Sequence, residues 1–409
     1  MNYTASNCSL LLTFKFRLYP NCAEEQRLLW TLEQCRLVYN RLLEEFNKGE
    51  LGFFDLKRQI PLFRLEIPSL ATIYSRPLYD QAWRLRYNIH TLARFRSEGR
   101  NVGNLRFKAK GSFKSFTYDR GFKFEEMEGR FSLLRLSMIG SIPIRLHRPI
   151  RGHPKTVTVK RHSSGKWFAY VVADEGSQAT PVTGRHAVGI DVGLQALAVD
   201  SDGGVIENPK TMKRILKRLR REKRRLSRKE FRSKNWEKQR VIVARSYERA
   251  TNQRNDFLHK IARYYAENYD IIVTENLQIR SMLRHRSLGE AIADASWGTL
   301  NRMIAYKAEN AGKVFVQCDP RGTSVNCSMC GAPVPKDLQE RSHICDHCGF
   351  ATTRDHNAAL NILAKGLVEL GSGRPELTLV DIRPLHKLKP MQAGWMKQEW
   401  NDASRRTTS

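Results

Sequence analysis

The chain has 409 residues, 41% of them hydrophobic, which is enough to bury two or three cores. Its 70 Lys and Arg against 41 Asp and Glu leave a formal charge of +29. Such an excess repels itself unless a polyanion neutralises it, and nucleic acid is the polyanion to expect. No stretch approaches about 18 apolar residues, so no membrane-spanning helix and no membrane partner is expected, and the apolar run ahead of Lys15 and Arg17 is too short for a signal peptide.

Residues 11–19, LLTFKFRLY, alternate as a strand does, and Pro20-Asn21 ends it. From Ala23 to Asn47, Leu28, Leu32, Cys35, Val38, Tyr39 and Leu42 recur at helical steps. A second helix is expected from about Pro77 to Ser97, with Leu78, Ala82, Leu85 and Ile89 on one face. Trp83, Arg84, Arg86 and Tyr87 are interleaved, a mixture that suits base stacking and phosphate contact as well as an ordinary wet face. Residues 104–180 read as short strands cut by Gly, Pro and Ser turns. With residues 11–19 they would make one small barrel, into which the helices of 21–103 are inserted. SQATPVTGR, residues 177–185, reads as a linker.

The segment that follows, HAVGIDVGLQALAVDSDGGVIE, predicts an antiparallel three-strand meander with Asp191 on its first strand. Residues 211–250 carry seventeen Lys and Arg and four acids over a helical stripe. They read as a long helical hairpin with a phosphate-contacting exterior. YDIIVTENL contains a short buried strand, Ile271 to Thr274, ending at Glu275; a helix in ASWGTLNRMIAYKAENAG and a strand in KVFVQCDP follow. This alternation implies a mixed α/β sheet. A helix is expected from about Asp355 to Leu370, and from Gly371 a Pro-, Lys- and Ser-rich tail.

Eight cysteines are present, but Cys8, Cys22, Cys35 and Cys318 are scattered. Cys327/Cys330 and Cys345/Cys348 form two CxxC pairs separated by fourteen residues. That spacing suits one tetrahedral thiolate site in a reducing compartment, and Zn²⁺ is its natural occupant. Four thiolates fill the coordination sphere, so the zinc would be structural. Asp191, Glu275 and Asp355 are a different kind of ligand. Hydrolysis of a phosphodiester by two Mg²⁺ ions needs hard oxygen donors on rigid elements. Asp191 lies between Gly189 and Gly193, where backbone and phosphate can approach; Glu275 ends a strand; Asp355 opens a helix, where the amide dipoles favour an anion. Taken singly, these acids equally suit a turn, a surface position and a cap.

Together the segments resemble a known family. GIDVGLQALAVDSDG, VTENLQIRSM and TRDHNAALNI look like the three split pieces of a RuvC nuclease domain, which has an RNase H-like fold. With FKFRLYPNCAEEQ, ASWGTLNRMIAYKAENAG and TSVNCSMCG, the arrangement from about residue 14 to 370 resembles TnpB, the transposon-encoded RNA-guided DNA endonuclease family. The resemblance implies an α/β, RNase H-like nuclease domain (181–322 and 351–372) with an inserted zinc ribbon (323–350). It further implies a wedge β-barrel (1–20 and 104–180), a helical recognition domain (21–103) and a flexible tail (373–409). By resemblance, Asp191, Glu275 and Asp355 are the catalytic Mg²⁺ ligands, and Cys327, Cys330, Cys345 and Cys348 hold the zinc. The implied partners are a guide RNA from the transposon end and double-stranded target DNA beside a short transposon-adjacent motif, bound by a monomeric ribonucleoprotein in the cytoplasm of a prokaryote, at the nucleoid. An RNA-guided repressor of the same architecture is the alternative, and the presence of all three acids favours the enzyme. Many relatives carry an acid two residues before the third catalytic Asp, where this chain has Thr353.

Overall fold

The computed structural model describes residues 11–49, 52–127, 129–176, 186–337 and 340–371. The expected linker at 177–185, the expected tail at 373–409 and residues 1–10 lie outside them. The chain divides into two compact units, Met1–Ser177 and Gln178–Ser409.

In the first unit, β1 (Leu11–Leu18) leads into three helices, α1 (Cys22–Asn47), α2 (Phe53–Glu66) and α3 (Ser75–Ser97). Six strands follow: β2 (Ser115–Tyr118), β3 (Phe122–Glu125), β4 (Ser132–Leu136), β5 (Gly140–Arg145), β6 (His153–Arg161) and β7 (Trp167–Asp174). Asn21 does more than stop β1. Its side chain accepts from Glu24 N at 2.9 Å while Glu24 Oε2 accepts from Asn21 N at 2.8 Å, a reciprocal cap that starts α1. The strands pair antiparallel in the order β2-β6-β7-β1-β5-β4-β3. Their alternation buries Phe14, Phe16 and Leu18 of β1 with Trp167, Ala169 and Val171 of β7, against Leu28, Leu32, Cys35 and Val38 of α1.

The expected barrel is left open, because β2 and β3 do not pair. Yet only Asp119–Gly121 joins them, and four residue steps span at most about 14 Å. The end of β2 and the start of β3 therefore lie near each other without a ladder between the two strands. A hydroxyl spans the gap instead: Tyr118 Oη donates to Ser137 O at 2.9 Å.

In the second unit, β8 (Ala187–Val192), β9 (Ala196–Asp200) and β10 (Val205–Glu207) form the predicted meander. The basic hairpin follows as α4 (Thr211–Ser227) and α5 (Lys234–Asn268), then β11 (Ile271–Glu275), the short α6 (Ile279–Met282) and α7 (Gly289–Ala295), α8 (Trp297–Asn310) and β12 (Val314–Cys318). A two-stranded ribbon, β13 (Ser342–Ile344) and β14 (Ala351–Thr353), delivers the chain directly into α9 (Arg354–Glu369). The sheet order is β10-β9-β8-β11-β12, with β11 parallel to both neighbours.

Both faces of this sheet are covered, and strand parity decides what each face receives. Val188, Ile190 and Ile272 point into a core built with Leu258, Ile261 and Tyr265 of α5 and Trp297, Leu300 and Ile304 of α8. The alternate residues Ile271 and Val273 pack with Ile362 and Leu363 of α9. Two-sided burial is why IIVT is a continuous apolar run. By the same parity Asp191 and Glu275 fall on the α9 face. Among the described residues, no helix is long and apolar enough to cross a membrane.

Candidate active site and metal centre

Asp191 is the penultimate residue of β8 and Glu275 the last of β11. The parallel register pairs Ile190 with Thr274, so the two acids are the next step along adjacent strands, at one end of the sheet. Asp355 reaches that end on α9, where it is the second helical residue. What brings α9 there is a pair of glycines. A Cβ on Gly189 would overlap the Ala359 carbonyl oxygen and the Leu363 backbone, and one on Gly366 would overlap Val273. Gly189 was expected to open the strand to phosphate; its missing side chain instead admits α9.

Burial and neighbouring charge act on these acids unequally. Burial, then the charges of Glu275 and Asp355, push the Asp191 carboxyl up to about 8, with Arg354 opposing. Glu275 is only 8% exposed. Burial raises its carboxyl too, against the pull of a 2.6 Å hydrogen bond donated by Thr323 Oγ1 and of the Lys365 charge. Asp355 Oδ1 lies 3.5 Å from Arg341 Nη1 and 3.4 Å from Arg354 Nε. Among the described residues neither Asp191 nor Glu275 has a salt bridge. Asp191 and Glu275, carboxylates without a salt bridge at one end of the sheet, are oxygen donors of the kind that fits hard divalent cations such as Mg²⁺.

Thr353 caps α9: its Oγ1 accepts from His356 N at 3.2 Å. An acid at this position would make the same bond, so the chain keeps the cap while changing the residue. His356 ties the helix start to the meander, with Nε2 3.1 Å from Ser201 O and Nδ1 2.9 Å from Thr352 Oγ1. Trp297 Nε1 donates to Gly193 O at 3.2 Å and fixes the turn after Asp191.

The four predicted cysteines meet. Cys327 and Cys348 Sγ are 3.7 Å apart, Cys330 and Cys345 Sγ 3.6 Å, and all four lie within 4.8 Å of one another. Sulfurs about 2.3 Å from a tetrahedral zinc stand about 3.8 Å from each other, so the tetrad fits that ion. Each pair is a tight turn. Gly331 N donates to Cys327 O at 2.9 Å and Gly349 N to Cys345 O at 2.8 Å. Both glycines have positive φ, +78° and +73°, which lets the backbone double back under the sulfurs. Backbone N–H groups of Cys348 and His347 hold the Cys345 thiol down to about 7 against the effect of burial. His343 of β13 is fully buried and pairs through Nδ1 with Lys336. The ribbon ladder runs to Thr353, beyond the expected boundary at 350.

Sequence reasoning missed the residues that join the two centres. Asn357 is fully buried. Its Nδ2 donates to Asn326 O at 2.8 Å, and its Oδ1 accepts from Ser328 N at 2.9 Å. Asn361, one turn on, donates to Thr323 O at 2.8 Å and Asn326 O at 2.7 Å. The available signal was two asparagines at i and i+4 in HNAALNI, one turn apart on the same side of a helix whose neighbouring Ala358, Ala359 and Ile362 are buried.

Comparison with known proteins fits this geometry. Residues 168–286 match the OrfB_IS605 family, described as a "probable transposase", and 297–362 match the Cas12f1-like TNB domain. A helix-turn-helix family matches 9–48, where the structure has one strand and one unbroken helix. A "putative RNA-guided DNA endonuclease" of Streptomyces pristinaespiralis is 34% identical over 88% of this chain and 90% of its own. The like-named InsQ of Escherichia coli K12 is 31% identical over 89% and 94%. A Cas12f1 in complex with sgRNA and target DNA shares the fold, with TM-score 0.59 at 16% identity over 87% of this chain and 98% of that one. With relatives this similar along nearly the whole chain, and with the expected cysteines and acids assembled in one unit, the protein belongs to the TnpB family.

Proposed function

We propose that this chain is an RNA-guided DNA endonuclease. It carries a guide RNA transcribed from a transposon end, finds double-stranded DNA beside a short transposon-adjacent motif, and hydrolyses the phosphodiester backbone at Asp191, Glu275 and Asp355. The observation that carries this reading is the placement of the acids: Asp191 and Glu275 stand one step past the last register pair of two adjacent parallel strands, and Asp355 lies in the first turn of the helix packed on that face of the sheet. Such a cluster costs free energy as a set of charges and is relieved by bound divalent cations. The relatives' names and the +29 charge support nucleic acid as the partner.

Two Mg²⁺ ions held by these acids would activate the attacking water and stabilise the leaving oxygen. The chain's own contribution is placement. Parallel strands hold Asp191 and Glu275 side by side, and α9 brings Asp355 over them. With burial and the neighbouring acids raising its carboxyl to about 8, Asp191 would have to release a proton to hold a cation, and affinity for the metal would rise with pH through that range. Zinc in the cysteine tetrad would supply shape only, fixing the loop on which α9 is braced.

The remaining assignments follow the family. Residues 1–20 and 104–180 serve as wedge domain and 21–103 as recognition domain. Residues 181–322 and 351–372 form the RuvC-like nuclease, with 323–350 its ribbon. The working form is a monomeric ribonucleoprotein in the prokaryotic cytoplasm, at the nucleoid. The exposed basic residues of α4 and α5 contact phosphates, since their sequence has few acids to balance them.

The test uses protein purified with its RNA, the guide being read by sequencing that RNA. Asp191→Ala should lower Mg²⁺-dependent plasmid cleavage by about a thousandfold or more, the loss of several kcal/mol of charge stabilisation. Guide-dependent DNA binding should stay within about twofold. A parent protein that binds the guided target but never cuts it would establish the repressor reading. Equal loss of binding and cutting in the variant would remove Asp191 from the chemistry.

A further inference from the structure

The loop 322–328 touches one of the acids and the helix that carries another. Thr323 is 3% exposed, and its Oγ1 donates to Glu275 Oε1 at 2.6 Å. Its carbonyl accepts from Asn361 Nδ2 at 2.8 Å, on the helix that carries Asp355. Three residues on, Asn326 O accepts from both Asn357 and Asn361, at 2.8 and 2.7 Å. Cys327, next in the chain, belongs to the tetrad. One short stretch of backbone is thus pinned by the ribbon, tied to the carboxylate at the end of β11 and tied to α9.

We propose that Thr323 is a positioning residue of the cleavage site. It fixes one oxygen of the Glu275 carboxylate, leaves the other to the cation, and through Asn361 keeps Glu275 in register with Asp355. The proposal rests on the assignment of Glu275 to the chemistry made above. A glutamate at a strand end can swing through several rotamers, and Glu275 has no salt bridge among the described residues to stop it. Threonine suits the task because its branched Cβ is stiff at χ1. Thr323 Oγ1 also lies 2.9 Å from Pro320 O, but a hydroxyl has one proton to give. The charge-assisted bond to the carboxylate is the stronger of the two. A hydrogen bond to a carboxylate ligand from outside the coordination sphere typically changes metal affinity by about 10- to 100-fold.

The experiment uses the full chain with its co-purified RNA. Mn²⁺ binding is read by isothermal titration calorimetry, and the Mg²⁺ midpoint of plasmid cleavage is read in parallel. Thr323→Val keeps the shape and removes the hydroxyl. It should weaken Mn²⁺ binding and raise the Mg²⁺ midpoint by about tenfold or more, while zinc content and guide-dependent DNA binding stay at the parent's level. Thr323→Ser should return both values to within about threefold of the parent. A valine variant with the parent's affinities, or a serine variant as impaired as the valine one, overturns the proposal. If valine strips the zinc, Thr323→Ala takes its place under the same criteria. Glu275→Gln separates the two levels of the argument. Retained cleavage in that variant overturns the assignment of Glu275 itself. Lost cleavage beside an unshifted Thr323→Val overturns only the role of Thr323.

Discussion

The cysteine tetrad and the acid set lie in the same unit and are assembled in opposite ways. The cysteines come from two four-residue turns and the fourteen residues between them. Their sulfurs close to within 4.8 Å of one another, and among the described residues no other group of potential ligands does so. The acids come from two strands and a helix start, and nothing local holds them together. Their geometry is inherited from strand register, from the packing of α9 on the sheet and from the loop between the ribbon and β12. A cysteine cluster can therefore be written as a short motif, whereas a set of acids of this kind is a property of the fold. The two sites should then fail separately under substitution, with coupling running mainly from the ribbon to the acids.

The sharpest way to break the comparison is at the helix–sheet contact. Gly189→Ala would set a methyl against backbone atoms of Ala359 and Leu363, which cannot rotate away. The expected cost is about 3 kcal/mol, at the upper end for overpacking, with a fall in Tm of roughly 6–12 °C. Because α9 must lift off the sheet, cleavage should fall by about a hundredfold or more, the effect of moving a reacting group by about 1 Å. The tetrad does not use this contact, so the variant should still carry one zinc per chain. Wild-type cleavage in a stably folded Gly189→Ala protein would show that α9 does not place Asp355.

The converse experiment removes the zinc. Cys345→Ser takes away a ligand whose thiol is already poised for deprotonation. Zinc content should drop to near zero, because the free energy of binding the ion is spent on folding the ribbon. Cleavage should then fall by about ten- to a hundredfold, through loosening of the loop 322–328 and of its bonds to Asn357, Asn361 and Glu275. Guide binding should be unchanged. A zinc-free variant that cuts as fast as its parent would make the ribbon a separate module with no hold on the acids.

The same contrast explains what could be read from the sequence. The meander, the strand ending at Glu275, the long stripe of α1 and the CxxC pairs are local periodicities or spacings, and all are legible. α2 was not, because Pro61 sits inside it and breaks the pattern a helix normally shows. The packing of Leu56, Ile60 and Phe63 into the first core holds it regardless. The open edge between β2 and β3 is a matter of how far a sheet curls, which alternation does not encode. Gly189 was legible as a place of close approach, but not as one meant for α9. Thr323, Asn357 and Asn361 are polar residues without a motif of their own. Their roles exist only once strand, helix and ribbon have been brought together.

Thr353 offers the smallest effect and the finest test. Where relatives carry an acid, this chain has a threonine whose hydroxyl accepts from His356 N. If the position exists to cap α9, removing the acceptor should matter and exchanging it should not. Thr353→Ala should cost about 1 kcal/mol, seen as a Tm lower by roughly 2–4 °C. Cleavage should fall a few-fold as the first turn frays around Asp355. Thr353→Asp should keep stability within about 0.5 kcal/mol, since aspartate caps at least as well and its charge suits the helix N-terminus. A large gain in cleavage with aspartate, at unchanged stability, would move the position from the helix to the metal: the acid would then be acting on the cation and the threonine would be a handicap. A null result for alanine would remove it from both. The cap thus tests whether the last few residues before Asp355 belong to the locally written ribbon or to the acid site that the fold assembles.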